Sequence, residues 1–217
     1  MSWVIKADQQ KDEIEAAWKK LEEKANKLKE ELHKERPAPK GNLMEEIAKN
    51  VYVIFGAEMC SNVYVLESGC EKLIIDAGDG TLPIDFRPKH VLLTHGHFDH
   101  TRGVRSSWLR VFLHESDLKG GSAVYVPQNA RAYDFKNLEF GDFEFEVIHA
   151  PGHTPGSVVI YEKKNKILFS GDTLFAGGAV GRTDLGGDDA LLSQTLGNIQ
   201  KIDYKFLCPG HGGIERI

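Results

Sequence analysis

The 217 residues, 41% of them hydrophobic, with a net charge of −5, suffice for one globular domain with a substantial core. No apolar run reaches the roughly eighteen residues of a membrane span, and "MSWVIKADQQ" lacks the basic and apolar regions of a secretory leader, so a cytoplasmic protein is expected. The mild acidity argues against a nucleic-acid partner, whose phosphates require a concentrated excess of Lys and Arg.

From about Asp8 to Arg36 the chain is rich in Glu, Lys and Ala, and Ile14, Trp18, Leu21, Ala25, Leu28 and Leu32 recur at helical spacing. This predicts a long amphipathic helix, with Glu15–Lys19 and Glu23–Lys27 as four-residue pairs on its wet side. The prolines and glycine of "RPAPKG" stop it, so residues 1–41 are read as a helix and linker ahead of a second domain at 42–217. The apolar stripe is expected to pack on its own domain; the alternative is a homo-oligomer contact through Trp18.

Beyond Asn42 short β-rich runs follow one another: "VYVIFG", "NVYVLESG", "KLIIDAG", "HVLLTH", "EFEVIHAPG", "SVVIYE", "KILFSGD" and "KFLCPG". Helical candidates are "FDHTRGVR", "HESDLKG" and residues 188–202, the last capped by Asp188 or Asp189 with Leu191, Leu192, Thr195, Leu196 and Ile199 facing inward. The mixture predicts an α/β (α+β) fold of sheets covered by helices. Cys60, Cys70 and Cys208 are odd in number and unpatterned, which points to reduced, buried thiols rather than disulfides or a thiolate zinc site.

Four of the predicted strands run straight into a His or Asp beside Gly or Pro, in "HVLLTHGHFDH", "FEVIHAPGH", "KILFSGD" and "KFLCPGH". Strand ends can bring such groups to one rim of a sheet. Seven candidate ligands result: His95, His97, Asp99, His100, His153, Asp172 and His211. Imidazoles with carboxylates suit zinc, iron or manganese, and they are too many for one tetrahedral ion. If all converge, two metals sharing a carboxylate and a water use them economically. His33, His90, His114 and His149 are read as hydrogen-bonded loop residues, and Met59, Phe98 and Phe175 as core packing in preference to pocket lining.

"THGHFDH", "PGHTPGS", "SGDTLF" and "CPGHG", in this order, resemble the metal-binding motifs of the metallo-β-lactamase fold superfamily over about Val51 to Gly213. The resemblance implies a four-layer αβ/βα sandwich with a binuclear site on one rim. It assigns His95, His97 and His153 to a first metal, Asp99, His100 and His211 to a second, and Asp172 to a bridge. Asp76 in "LIIDAG" matches the motif whose aspartate supports the site from behind the ligands.

Within that family, β-lactamases with a Cys ligand need a thiolate near the position Asp172 occupies, flavodiiron proteins carry Glu in place of His97, and tRNA 3′-end nucleases carry an RNA-gripping arm. The segment "GDTLFAGGAVGRTDLGG" resembles the glyoxalase II-like branch, where Arg182 and Asp184 form either a buried loop-fixing pair or a substrate contact. Glyoxalase II also has a C-terminal helical domain that grips glutathione, and this sequence ends four residues after Gly213.

The resemblance therefore implies a single-domain hydrolase in which a metal-bound hydroxide cleaves a thioester, ester or lactone of a small molecule. Two zinc ions are expected, with iron or manganese as alternatives. Asp172 would bridge, Asp99 would orient the water or carry its proton, and Asp76 and Asp184 would orient imidazoles. The competing classes are an iron-dependent persulfide dioxygenase, a phosphodiesterase or nuclease on the same scaffold, and a metal-bearing assembly domain.

Overall fold

The computed structural model describes residues 44–217, Glu58 excepted. The expected N-terminal helix and linker lie outside the described residues. Every strand expected from the sequence is present. In chain order the elements are β1 (Glu45–Ala48), β2 (Val51–Ile54), β3 (Val63–Ser68), β4 (Glu71–Ile75), β5 (His90–Leu92), the one-turn helix α1 (Phe98–Thr101), β6 (Val111–Leu113) and α2 (Glu115–Leu118). Then come β7 (Ala130–Ala132), β8 (Asn137–Phe140), β9 (Phe143–His149), β10 (Val158–Glu162), β11 (Ile167–Gly171), α3 (Asp189–Ile199), β12 (Phe206–Pro209) and β13 (Glu215–Arg216).

Strands β1 to β7 form one sheet in sequential order, antiparallel as far as β4 and parallel from β4 through β7. The second sheet has the order β13-β12-β11-β10-β9-β8, with β11 and β12 parallel. Period-two alternation explains how the layers form. In β3, Tyr64 and Leu66 face the second sheet, where they meet Phe145, Ile160, Ile167 and Phe169, while Val63 and Val65 join Ile74, Val91 and Trp108 on the outer face. In the second sheet Val159, Leu168 and Leu207 point outward and pack against Ile199 of α3. Sheets buried on both faces give the expected αβ/βα sandwich.

Asp188 caps α3 by accepting from Leu191 N at 2.9 Å. The helix turns Leu192, Thr195 and Ile199 inward, whereas Leu191, expected in that stripe, is 40% exposed because it sits in the first turn. Cys60 and Cys208 are buried as expected, but Cys70 is exposed, since it occupies the turn between β3 and β4. Among the described residues no helix is long and apolar enough to cross a membrane.

Candidate metal centre

The strand ends bring the seven candidate side chains together: His97, Asp99, His153, Asp172 and His211 line one depression of about 200 Å³, and His95 and His100 are buried against them. His95 follows β5, and the tight turn at Gly96 leads into α1, so His97, Asp99 and His100 project from its first residues. His153 lies in the loop between β9 and β10, Asp172 directly follows β11, and His211 lies just beyond β12.

Three imidazole nitrogens meet in the first group: His153 Nε2 is 3.2 Å from His95 Nε2 and 2.9 Å from His97 Nδ1. In the second group His211 Nε2 lies 3.1 Å from Asp99 Oδ2, and His100 Nε2 lies 3.9 Å from the same oxygen. The Asp172 carboxylate stands between the two groups. Its Oδ1 is 3.2 Å from His100 Nε2, and its Oδ2 is 3.6 Å from His153 Nε2 and 3.5 Å from His211 Nε2. Gly210 is needed for this approach, because a Cβ there would lie 2.2 Å from Asp172 Oδ1.

The electrostatics match the crowding. Burial and the neighbouring imidazoles push His95 well below the usual histidine range and His97 down to about 4; burial also lowers His153. These rings are neutral at pH 7 and have lone pairs to offer. Burial alone would raise the Asp172 carboxyl, but His100, His211 and His153 outweigh it and hold it at about 2. Burial likewise opposes protonation of His100, yet Asp76 and Asp172 on either side raise it well above its ordinary value, so this position calls for positive charge.

Within the cluster two buried atoms, His100 Nε2 and Asp172 Oδ1, have no well-aligned hydrogen-bond partner. Converging acceptors without donors are what a cation would satisfy, and the neutral nitrogens with carboxylate oxygens form a donor set for zinc, iron or manganese. The cluster of His and Asp side chains is able to bind metal.

On three of the rings the nitrogen turned away from the centre is itself held; on His97 that nitrogen, Nε2, is not. Asp76 Oδ2 lies 2.8 Å from His100 Nδ1, and Thr94 Oγ1, bonded to Asp76, lies 3.1 Å from His95 Nδ1. His153 Nδ1 faces the carbonyl oxygen of Arg182 at 2.7 Å. The expected role of Asp184 on an imidazole is therefore filled by a backbone carbonyl: Asp184 instead pairs with the Arg182 guanidinium at the surface. Of the two readings of this pair, the buried loop-fixing one does not hold, since both side chains are more than 60% exposed and no described residue covers them.

Sequence reasoning missed Asp117. This buried carboxylate of α2 accepts from Gly96 N at 2.8 Å, Thr154 Oγ1 at 2.8 Å and Gly156 N at 2.7 Å, joining the loop of His95 and His97 to the loop of His153. A Cβ at Gly156 would meet it at 2.5 Å. No periodicity singles out this aspartate within "HESDLKG". Asn62 and Tyr64 were also missed; both donate to Pro209 O, at 3.1 and 2.6 Å, fixing the loop that carries His211.

Other expectations need correction. Met59, 67% exposed, and Phe98 line the depression with Ala123, Arg182 and Leu185 rather than filling the core. Phe175 is partly buried, its ring 6.4 Å from that of His211. His90 is not a loop residue: it opens β5 and is buried between Phe112 and Phe140. His114 and His149 do hydrogen-bond locally, and their rings stack at 4.1 Å.

The model of the metallo-beta-lactamase superfamily matches residues 59–110 and 126–211, more than half of the chain. The hydroxyacylglutathione hydrolase GloC of Haemophilus influenzae is 32% identical over 165 residues, which span 62% of this chain and 73% of that protein. Among solved structures, BLEG-1 B3 metallo-beta-lactamase is 33% identical with a TM-score of 0.64, covering 76% of this chain and 92% of that one. A di-iron-bound form of TTHA1623 is 30% identical with a TM-score of 0.63, covering 76% and 94%. With the motifs, the two-sheet fold and the rim cluster already in place, these matches establish that the chain belongs to the metallo-beta-lactamase superfamily.

Proposed function

We propose that this chain is a binuclear metal-dependent hydrolase that cleaves a thioester, ester or lactone of a small molecule. The observation that carries the reading is the convergence of seven His and Asp side chains, with the buried His100 Nε2 and Asp172 Oδ1 at its middle left without well-aligned partners. His95, His97 and His153 would hold one cation, Asp99, His100 and His211 a second, and Asp172 both. Such cations, when bound, lower the pKa of a shared water toward neutrality and polarise a carbonyl.

The chain's own groups do the rest. Asp172, ionised at pH 7, keeps the two halves of the site at fixed separation through its two oxygens. Asp99, also held below the usual carboxylate range although burial opposes it, presents Oδ2 as the acceptor that orients the attacking water and takes its proton. Asp76, Thr94 and the Arg182 carbonyl lock ring orientation, so ligand geometry does not have to be organised at each turnover. Met59, Phe98 and Leu185 form an apolar wall for the acyl group. The protein is proposed as cytoplasmic.

The relative named as a hydroxyacylglutathione hydrolase supports the thioester reading, and the di-iron neighbour keeps iron beside zinc. The B3 metallo-beta-lactamase neighbour keeps β-lactams among the substrates to be assayed. The test is elemental analysis of protein purified without added metal, followed by assays with S-lactoylglutathione, simple lactones and a β-lactam, and by oxygen uptake with glutathione persulfide. Two equivalents of metal and hydrolysis of the thioester or a lactone are expected. Oxygen uptake without hydrolysis, or a metal-free yet fully active protein, overturns the reading.

A further inference from the structure

The parallel strands β4, β5 and β6 have a second concavity at the end opposite the metal centre. Their C-terminal ends lead to Asp76 and His95, whereas the residues at or just before their N-terminal ends frame a cleft of about 410 Å³. Lys72, Arg87, Lys89 and Arg110 line it, with Glu71 as the one carboxylate in the wall. This is a concentration of positive charge on a chain whose net charge is −5.

The four cations are not equivalent. Lys72 is paired with Glu67, and Lys89 with Glu71 at 2.6 Å, whereas Arg87 and Arg110 meet no carboxylate among the described residues. Arg110 is held at one edge, where its Nη1 lies 3.4 Å from His90 Nε2. That imidazole is pushed down to about 4, first by burial and then by Arg110 and Lys89, so it stays neutral and accepts, leaving the other guanidinium donors for a ligand. Leu109, 73% exposed, and Pro88 complete the lining with apolar surface.

We propose that this cleft binds a small phosphate-bearing anion, its phosphoryl oxygens on Arg87 and Arg110 and its organic part against Leu109 and Pro88. Guanidinium forks match phosphate oxygens in pairs, and two of them flanked by lysines suit a dianion better than a singly charged carboxylate. The volume exceeds what an inorganic phosphate fills, which leaves room for an attached group. Because the cleft and the metal centre lie at opposite ends of the same strands, the ligand is distinct from the hydrolysed substrate.

Cys70 provides a local reporter, since it lines the cleft and is exposed, whereas Cys60 and Cys208 are buried. The experiment follows N-ethylmaleimide addition to the full chain by intact mass, with phenyl phosphate or with sodium chloride at equal ionic strength. Phenyl phosphate at several times its dissociation constant should slow adduct formation at Cys70 about fivefold, and the Arg87→Ala, Arg110→Ala double variant should lose that protection. Glu71→Gln, a change at an exposed side chain, should lower the phenyl phosphate concentration needed for half-protection. Equal labelling with both salts, protection that survives in the double variant, or a half-protection point that Glu71→Gln leaves in place would overturn the proposal.

Discussion

Oδ2 of Asp76 stands 2.8 Å from Nδ1 of His100, with both side chains buried, and Asp76 adopts a φ of 59° to reach it. A non-glycine residue in this region costs about 1 kcal/mol or more, so its neighbours have to hold it there. Thr94 does so, donating to Asp76 from both its backbone N and its Oγ1. In Asp76→Asn an amide N–H would face the ring nitrogen, and the orientation of His100 would be lost. We expect metal affinity, measured by competition with a chromophoric chelator, to fall about 10- to 100-fold. Unchanged affinity would mean that His100 does not take part in metal binding.

Asp172 spans both groups, so Asp172→Ala should remove at least one of two metals and most of the activity. Elemental analysis of the purified variant checks this directly. Two metals retained at full activity would rule out the bridge.

Asp117 tests how far the site depends on its loops. Asp117→Ala leaves Gly96 N, Gly156 N and Thr154 Oγ1 without their acceptor, each at a cost of about 1–3 kcal/mol if it stays buried. A loss of at least about 3 kcal/mol in urea unfolding at unchanged m-value is expected, and Thr154→Val, which removes the bonds of Oγ1 to Asp117 and to Ser157 Oγ, should cost about 1–2 kcal/mol. A midpoint for Asp117→Ala close to that of the parent would show that water replaces the carboxylate.

His90 sets a pH dependence. Its folded-state pKa is lowered to about 4, so between pH 6.5 and 4 the unfolded chain binds a proton that the folded chain does not. Stability from this group is therefore intact above about pH 6.5, falls as pH drops through that window, and levels off below about 4. His90→Phe keeps a ring beside Phe112 and Phe140 and should flatten this part of the profile. Parallel urea-midpoint profiles for parent and variant would remove His90 as the cause.

Chemistry-bearing residues were legible in the sequence because each is announced locally. An apolar run ending in His or Asp beside Gly marks a strand delivering a polar group to a rim, and that pattern singles out His95, His97, Asp99, His100, His153, Asp172 and His211. The long strands were legible for the same reason, since burial on both faces makes β3, β10 and β11 nearly continuous in apolar residues. The short strands β1, β6, β7, β8 and β13 were not, because two to four residues carry too little pattern where no longer apolar run or strand-end motif marks them.

What the chain order alone could not decide is pairing across distance. The partner of His153 is a carbonyl 29 residues away, and Asp117 reaches Gly156 across 39 residues. The exposure of Met59, Leu191 and Cys70 likewise depends on which elements happen to cover them. Local sequence determined which groups this protein carries and roughly where its strands end. Only the packing of two sheets determined which groups meet, because hydrogen bonding and burial are properties of distance in space rather than distance along the chain.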